Sequence, residues 1–140
     1  MRANAGVRAA TVSTLAGIAA LHVAWGRGST FPFTGREQLN DTVIGRQATP
    51  SPAACYGVAG LLATASALVA GLPAPTSKVR RAGVCTVAAT LGARAALGFS
   101  GKTDLVSPGS VSPRFRQMDT RLFSPLCAML AIGAARSLRR

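Results

Sequence analysis

Four apolar segments of bilayer-spanning length dominate the chain and limit what it can fold into. They cover about residues 7–25, 52–72, 82–99 and 122–138. A helix of about 20 residues, rising about 1.5 Å per residue, crosses the roughly 30 Å hydrocarbon layer of a bilayer. Each segment is apolar all round rather than along one stripe, which argues against amphipathic surface helices. The pattern predicts an all-α membrane protein: a four-transmembrane-helix bundle with two extracytoplasmic loops, forming a single membrane domain over residues 1–140.

Composition agrees with this interpretation and excludes one alternative. Hydrophobic residues make up 49% of the chain and charged residues only 14%, against about 25% in a typical soluble domain. The net charge of +12 is typical of nucleic-acid binding. The cations, however, lie at the ends of apolar segments, as in membrane proteins, and form no basic stripe. We therefore expect the lipid bilayer as a partner, together with a larger membrane complex or a homo-oligomer, and no nucleic acid.

The distribution of cations predicts how the chain crosses the membrane. One side carries only cations, namely Arg2, Arg8, Lys78, Arg80, Arg81, Arg136, Arg139 and Arg140. The other side carries seven cations and all four acids, namely Arg27, Arg36, Arg46, Lys102, Arg114, Arg116, Arg121, Glu37, Asp41, Asp104 and Asp119. The positive-inside rule favours both termini in the cytoplasm. A cleaved signal peptide over the first segment is the alternative, although no clean small-residue cleavage site follows it.

Small residues at four-residue spacing predict which helix faces pack together. The second segment carries one ladder of this kind and the third another, formed by Ala59, Ala63, Ala67 and Gly71 and by Ala88, Gly92 and Ala96. In lipid, such ladders allow helix backbones to approach closely. We therefore expect these faces at helix–helix interfaces.

Arg94 is the outstanding polar residue at membrane depth. It lies about thirteen residues into the third segment, and a charge inside a bilayer is normally turned inward and paired. It can snorkel to the interface, pair with an acid to lock the bundle, or anchor an anionic ligand. Asp119, three residues before the fourth segment, is a candidate counter-ion, although a carboxylate there also complements the helix N-terminus.

Other side chains at the same predicted level suggest a shared site. His22 and Trp25 lie at i and i+3 near the end of the first segment, where a tryptophan ordinarily anchors the membrane interface. A haem on His22 would need Met129 as second ligand, and their depths match poorly, so neither a cofactor nor a metal is expected. Cysteines 55, 85 and 127 form no CxxC pair, which argues against redox chemistry. The candidate ligand-binding residues are His22, Trp25, Tyr56, Arg94, Asp119 and Arg121.

Two stretches of the sequence resemble a known family. The run from His22 to Gly26, with Gly28 and Phe31-Pro32, is similar to the first-helix signature of the bacterial membrane proteins grouped as domain-of-unknown-function family 3995. Arg94, Gly98 and the run from Met118 to Cys127 resemble its closing pattern, with Phe123 where the pattern usually has Tyr. The resemblance implies four helices and a bacterial inner-membrane location, and it implies no activity.

Three functional hypotheses follow from these observations. The first is a structural or accessory component of a membrane complex. The second is a protein that binds a lipid or another amphipathic small molecule through a polar site on the extracytoplasmic half. The third is a small intramembrane enzyme that uses His22 or Asp119 as acid or base. Few titratable groups lie at membrane depth, so the enzyme hypothesis ranks last.

Overall fold

The computed structural model describes residues 2–105 and 107–139, with side chains from Asn4 onward. The predicted placements of Arg140 and of the Arg2 side chain therefore lie outside the described residues. All regular structure in the described part is helical. The α-helices are α1 (Arg2–Gly26), α2 (Arg36–Leu39), α3 (Pro52–Ala70), α4 (Lys78–Phe99), α5 (Pro113–Met118) and α6 (Ser124–Arg136). Two π-helical turns, Asn40–Ile44 and Asp119–Phe123, and a 3-10 turn, Thr103–Leu105, complete the list.

Helices occupy all four predicted segments, with different ends. Helix α3 stops at Ala70 because Gly71 takes a left-handed conformation (φ 121°) that ends the helix. Helix α4 begins at Lys78 rather than at residue 82, because the Ser77 side chain accepts a hydrogen bond from the Arg80 amide and caps the helix there. The hydrophobic pattern of the sequence alone does not reveal this cap.

In the described part of the chain, three helices are long and apolar enough to cross a membrane. These stretches are Asn4–Gly26, Pro52–Ala70 and Lys78–Phe99. Helix α6 has 13 residues and is too short to span by itself, but it continues an unbroken helical run that begins at Pro113. The described structure is thus all-helical and compatible with a multi-pass membrane protein.

The four longest helices pack in a ring. Helix α1 contacts α3, α3 contacts α4, α4 contacts α6, and α6 closes the ring against α1. The core between them contains Leu15, Ala65, Val69, Val84, Leu130 and Ala134. Because successive long helices alternate in direction, the two long loops, residues 27–51 and 100–112, lie at one end, called the loop end here. The short 71–77 connection and the helix α6 C-terminus lie at the other, called the terminal end.

Apolar side chains cover the outside of the ring. At most 28% of the residues in each membrane-length stretch are buried within the protein. Large hydrophobic side chains point outward, among them Leu61 (73% exposed), Met129 (68%) and Val79 (71%). An apolar surface of this extent is a liability in water and is normal against lipid acyl chains.

The helix contacts use small residues that coincide only in part with the predicted ladders. Ala63 and Ala96 are exposed, so neither ladder forms a continuous interface. On α3 the buried face carries Ala59 and Ser66, and the Ser66 hydroxyl donates to the Val12 carbonyl of α1 at 3.0 Å. Helices in an Ala-rich chain present small residues on every face, so four-residue spacing alone does not identify the packed one.

Candidate functional site at the loop end

The two long loops interlock and form a cap over the loop end. The Gly45 carbonyl accepts hydrogen bonds from the amides of Val111 at 2.9 Å and Ser112 at 3.1 Å. The Ser112 hydroxyl also donates to the Asp41 carboxylate. Gly45 has a φ of 76°, and a Cβ there would lie 2.7 Å from Cγ of the buried Phe115 ring. Only glycine fits this position. The hydrogen bonds between the two loops hold the cap in one arrangement.

Beneath the cap, Arg94 and Asp119 form a closed ion pair. Arg94 Nη2 lies 2.5 Å from Asp119 Oδ1, and Nη1 lies 3.4 Å from Oδ2. The Thr103 hydroxyl donates to Oδ2 at 2.6 Å, and the Ser124 hydroxyl donates to Oδ1 at 3.4 Å. Asp119 is 1% exposed, so four donors satisfy a carboxylate that water does not reach. A charge at this depth is tolerated when it is paired and hydrogen-bonded in this way.

Local chain features place Asp119 in this position. Pro125 has no amide hydrogen, and its ring clashes with the carbonyl four residues earlier, so regular α-helical bonding is interrupted just before it. The chain responds with the wide π-helical turn Asp119–Phe123, in which the Ser124 amide bonds to the Asp119 carbonyl. This turn rotates Asp119 toward α4 while the helix continues.

Gly98 allows α4 and α6 to approach at the ion pair. A Cβ at Gly98 would lie 1.7 Å from Ser124 Oγ and 2.9 Å from both Arg94 Nη1 and Asp119 Oδ2. No side chain fits there. The Arg94, Gly98, Asp119 and Ser124 positions of the closing pattern therefore form one contact between α4 and α6.

A separate cavity lies between α1, α3 and the cap. Its volume is about 270 Å³, near the lower end of the roughly 300–1,000 Å³ that is usual for small-molecule sites. Its apolar wall is formed by Leu39, Val43, Ile44, Pro50, Ala54, Cys55 and Val58. Its polar lining is formed by His22, Trp25, Ser29, Arg36, Arg46, Thr49 and Ser107. The cavity combines an apolar interior with two arginines and a histidine, and none of its described lining residues is acidic.

A hydrogen bond to its own helix selects the tautomer of the neutral His22 ring. Its Nδ1 lies 2.8 Å from the Ile18 carbonyl oxygen, which can only accept a hydrogen bond. Nδ1 therefore carries the hydrogen, and Nε2 of the neutral ring has the free lone pair. The ring also packs against Trp25, with 4.9 Å between ring centroids. His22 can thus accept a hydrogen bond from a ligand in the cavity.

Trp25 connects α1 to the first long loop. Its indole Nε1 donates to the Phe31 carbonyl at 2.7 Å. The bond folds the chain after α1 back over the helix end, and Trp25 becomes part of the cavity lining. This contact joins Trp25 to Phe31-Pro32, two of the features on which the resemblance at the first helix rests.

The remaining candidate residues lie outside both features. The Tyr56 ring lies across Gly26, where a Cβ would be 2.8 Å from Cε1, and Tyr56 is 45% exposed. Arg121 is exposed in the π-helical turn. The six candidates thus separate into the Arg94–Asp119 pair, the cavity residues His22 and Trp25, and two side chains that belong to neither. Among the described residues, no hydrogen bond joins Arg94 or Asp119 directly to a cavity residue. Thr103 connects them indirectly, because it donates to Asp119 and its carbonyl accepts from the amide of Ser107 in the cavity lining at 2.9 Å.

One polar cluster escaped the sequence reasoning. Arg80, at the terminal end of α4, is only 4% exposed. Its guanidinium donates to the Leu68 carbonyl at 2.8 Å, the Pro75 carbonyl at 3.3 Å and the Ser137 carbonyl at 3.2 Å. In the sequence it is one of several cations that the positive-inside rule predicts to be cytoplasmic. The sequence feature that could have identified it is its position three residues after Ser77, which caps the helix. The cap brings the first turn of α4 against the connection that precedes it.

The fold and these contacts define an all-helical protein with an outward apolar surface and a polar loop end. The family model described as "Protein of unknown function (DUF3995)" matches residues 15–134. The chain belongs to this family, as the resemblance predicted. No curated protein and no solved structure matches the chain.

Proposed function

We propose that the chain is a multi-pass protein of the bacterial cytoplasmic membrane that binds a lipid or another amphipathic molecule in the loop-end cavity. The observation that carries this proposal is the lining of the cavity, which combines an apolar wall from α3 and the first long loop with two loop arginines. An amphipathic molecule likewise combines an apolar chain with a polar end. Val58, 40% exposed on α3, brings the cavity wall to the surface that faces lipid in this proposal.

In this proposal Arg94 and Asp119 lock α4 to α6, and His22 and Trp25 line the binding site. The Arg94 guanidinium is already engaged by a buried carboxylate, so a ligand anion would have to displace Asp119 from it. Leaving that carboxylate buried and unpaired costs several kcal/mol, about 3–5. The same engagement argues against Asp119 as a catalytic acid or base.

The proposed topology has four spans with both termini in the cytoplasm. Its support is the helical run from Pro113 to Arg136 and the exposed cations at the terminal end, among them Lys78, Arg81 and Arg139. A reporter that is active only in the periplasm, fused after residue 140, should be inactive. An active fusion contradicts the proposed topology.

Quenching of Trp25 fluorescence tests ligand binding. Trp25 is the only tryptophan of the chain, and it lines the cavity. In nanodiscs of unlabelled phosphatidylcholine, trace amounts of a single-chain amphiphile brominated near its head group should quench Trp25 saturably. Val58→Phe places a larger side chain in the cavity and should abolish the saturable component of the quenching. Leu61→Phe, on the exposed side of the same helix, is the matched control and should leave it unchanged.

Two outcomes separate this proposal from its rivals. Equal quenching in Val58→Phe and Leu61→Phe contradicts a site in the cavity. The second outcome comes from native mass spectrometry of the protein after mild detergent extraction. An amphiphile that stays bound to the protein supports the proposal. A stoichiometric protein partner without any amphiphile would instead support the accessory role.

A further inference from the structure

Two arginines at the mouth of the cavity have no carboxylate within 4 Å among the described residues. The ion pair found in that part of the chain joins Arg94 and Asp119. Arg36 and Arg46 both line the cavity and are exposed. Two like charges that line one cavity repel each other, and an anion bound by both would relieve that repulsion.

Backbone of the two long loops lies next to both guanidinium groups. A Cβ at Gly28, which has a φ of 93°, would lie 3.7 Å from Arg36 Nη2, so this guanidinium lies over bare backbone at the end of α1. Arg46 Nη1 donates to the Pro108 carbonyl of the second long loop at 3.3 Å. That acceptor is neutral, so it orients Arg46 without forming an ion pair with it.

From these contacts we propose that Arg36 and Arg46 bind the phosphate of an anionic phospholipid, whose acyl chain enters the apolar part of the cavity along α3. The inference rests on the proposed function and specifies its ligand. Guanidinium groups match the planar, multi-oxygen geometry of a phosphate ester and bind it by charge-assisted hydrogen bonds. The hydroxyls of Ser29 and Thr49 lie in the same lining and add donors for the remaining oxygens.

The cavity dimensions fit a head group and part of one chain. A volume of about 270 Å³ is too small for a whole two-chain lipid, so the remainder of the molecule lies in the bilayer beside Ala54 and Val58. An apolar wall exposed on a membrane-length helix provides such a lateral path. The phospholipid leaflet beside the loop end is therefore the source of the ligand.

Competition between head groups tests this inference with the same Trp25 signal. Brominated lysophosphatidylglycerol, an anion, is compared with brominated lysophosphatidylcholine, which has the same chain and no net charge. The anionic probe should reach half-quenching at a mole fraction about tenfold lower, since both probes carry the phosphate but only lysophosphatidylcholine brings a quaternary ammonium, which the two arginines repel. Arg36→Gln and Arg46→Gln should each reduce this preference, and the double variant should abolish it.

Matched controls separate the site from general attraction to a basic protein. Arg27→Gln and Arg121→Gln each remove an exposed loop-end charge outside the cavity lining and should leave the preference unchanged. An anionic preference that persists in Arg36→Gln/Arg46→Gln, or that falls equally in the controls, overturns the inference. Inorganic phosphate should compete only weakly, because it lacks the chain. Phosphate that displaced the anionic probe as effectively as unlabelled lysophosphatidylglycerol would overturn the lipid assignment.

The outcome for the proposed function is distinct. Saturable quenching by both probes with equal strength refutes the charge inference and leaves amphiphile binding intact. An absence of saturable quenching by either probe refutes both.

Discussion

Helix α4 carries an inward-facing arginine near each end, Arg80 buried and Arg94 partly buried, and the two differ in what compensates their charge. Arg94 at the loop end meets the carboxylate of Asp119, whereas Arg80 at the terminal end meets three backbone carbonyls. They are fourteen residues apart, which is about 21 Å and nearly four turns, so both project from a similar face of α4. Each one joins α4 to the α6 segment.

The difference follows from where each arginine lies along the helices. Near Arg80, two helices end, and their last carbonyls have no partners within the helix and carry partial negative charge. Carbonyl groups therefore suffice there. Arg94 lies among complete helical turns whose carbonyls are already bonded, and it needs a separate anion. The comparison indicates that the loop end depends on one specific pair, while the terminal end depends on several replaceable acceptors.

Replacing one member of the loop-end pair should have the largest effect. Arg94→Leu leaves the Asp119 carboxylate buried and unpaired and should lower the free energy of unfolding by about 3–5 kcal/mol. Thermal unfolding in a mild detergent measures this loss. The double variant Arg94→Leu/Asp119→Leu should be more stable than Arg94→Leu, because no charge is left buried. If the loss of stability in the double variant equals the sum of the losses in Arg94→Leu and Asp119→Leu measured separately, the pair is not a coupled lock.

The second effect tests the close approach that the pair requires. Gly98→Ala places a methyl group against Ser124 Oγ and should cost about 1–3 kcal/mol through overpacking. Gly92→Ala is the matched control on the same helix, since nothing lies within 4 Å of a Cβ there. That control should be neutral or slightly stabilising. Equal unfolding temperatures for the two variants would contradict the described α4–α6 contact.

A third effect, of similar size to that of Gly98→Ala, is expected at the terminal end. Arg80→Leu removes hydrogen bonds from a charged donor and should cost about 1.5–3 kcal/mol, less than Arg94→Leu, because water at the helix ends can hydrate the freed carbonyls. Arg81→Leu, its exposed neighbour, should change stability by no more than about 0.5 kcal/mol. Thermal unfolding in detergent again provides the measurement. A loss larger than that of Arg94→Leu would reverse the comparison.

Hydrophobic length and the family pattern allowed the helical segments to be predicted, and they selected Arg94 and Asp119 as candidate partners. The pairing itself depends on the π-helical turn before Pro125, which sets the direction of the Asp119 side chain. No hydrophobic periodicity in the sequence indicates such a turn. The cavity was beyond sequence reasoning for a related reason. Arg36 lies at its mouth beside Gly28, in the irregular first long loop. Arg46 lies there through its hydrogen bond to Pro108, which is far from it in the chain.

The small-residue ladders show a second limit. Ala63 lies at the predicted spacing and is exposed, while Ser66 faces α1 and bonds to its backbone. When most helix positions hold small residues, the packed face is selected by individual polar contacts and by the caps. Arg80 is the clearest example, since its burial follows from the Ser77 cap and the nearby ends of α3 and α6.

The central claim is that the loop end contains a lock and a separate binding cavity. The most direct test is Trp25 quenching by brominated lysophosphatidylglycerol in Arg94→Gln/Asp119→Asn, which removes both charges and keeps a hydrogen-bonded pair. With folding verified by thermal unfolding, the account predicts half-quenching at the same probe mole fraction as in the unmodified protein. A folded Arg94→Gln/Asp119→Asn variant that no longer binds the probe would contradict the separation and identify Arg94 as the ligand anchor.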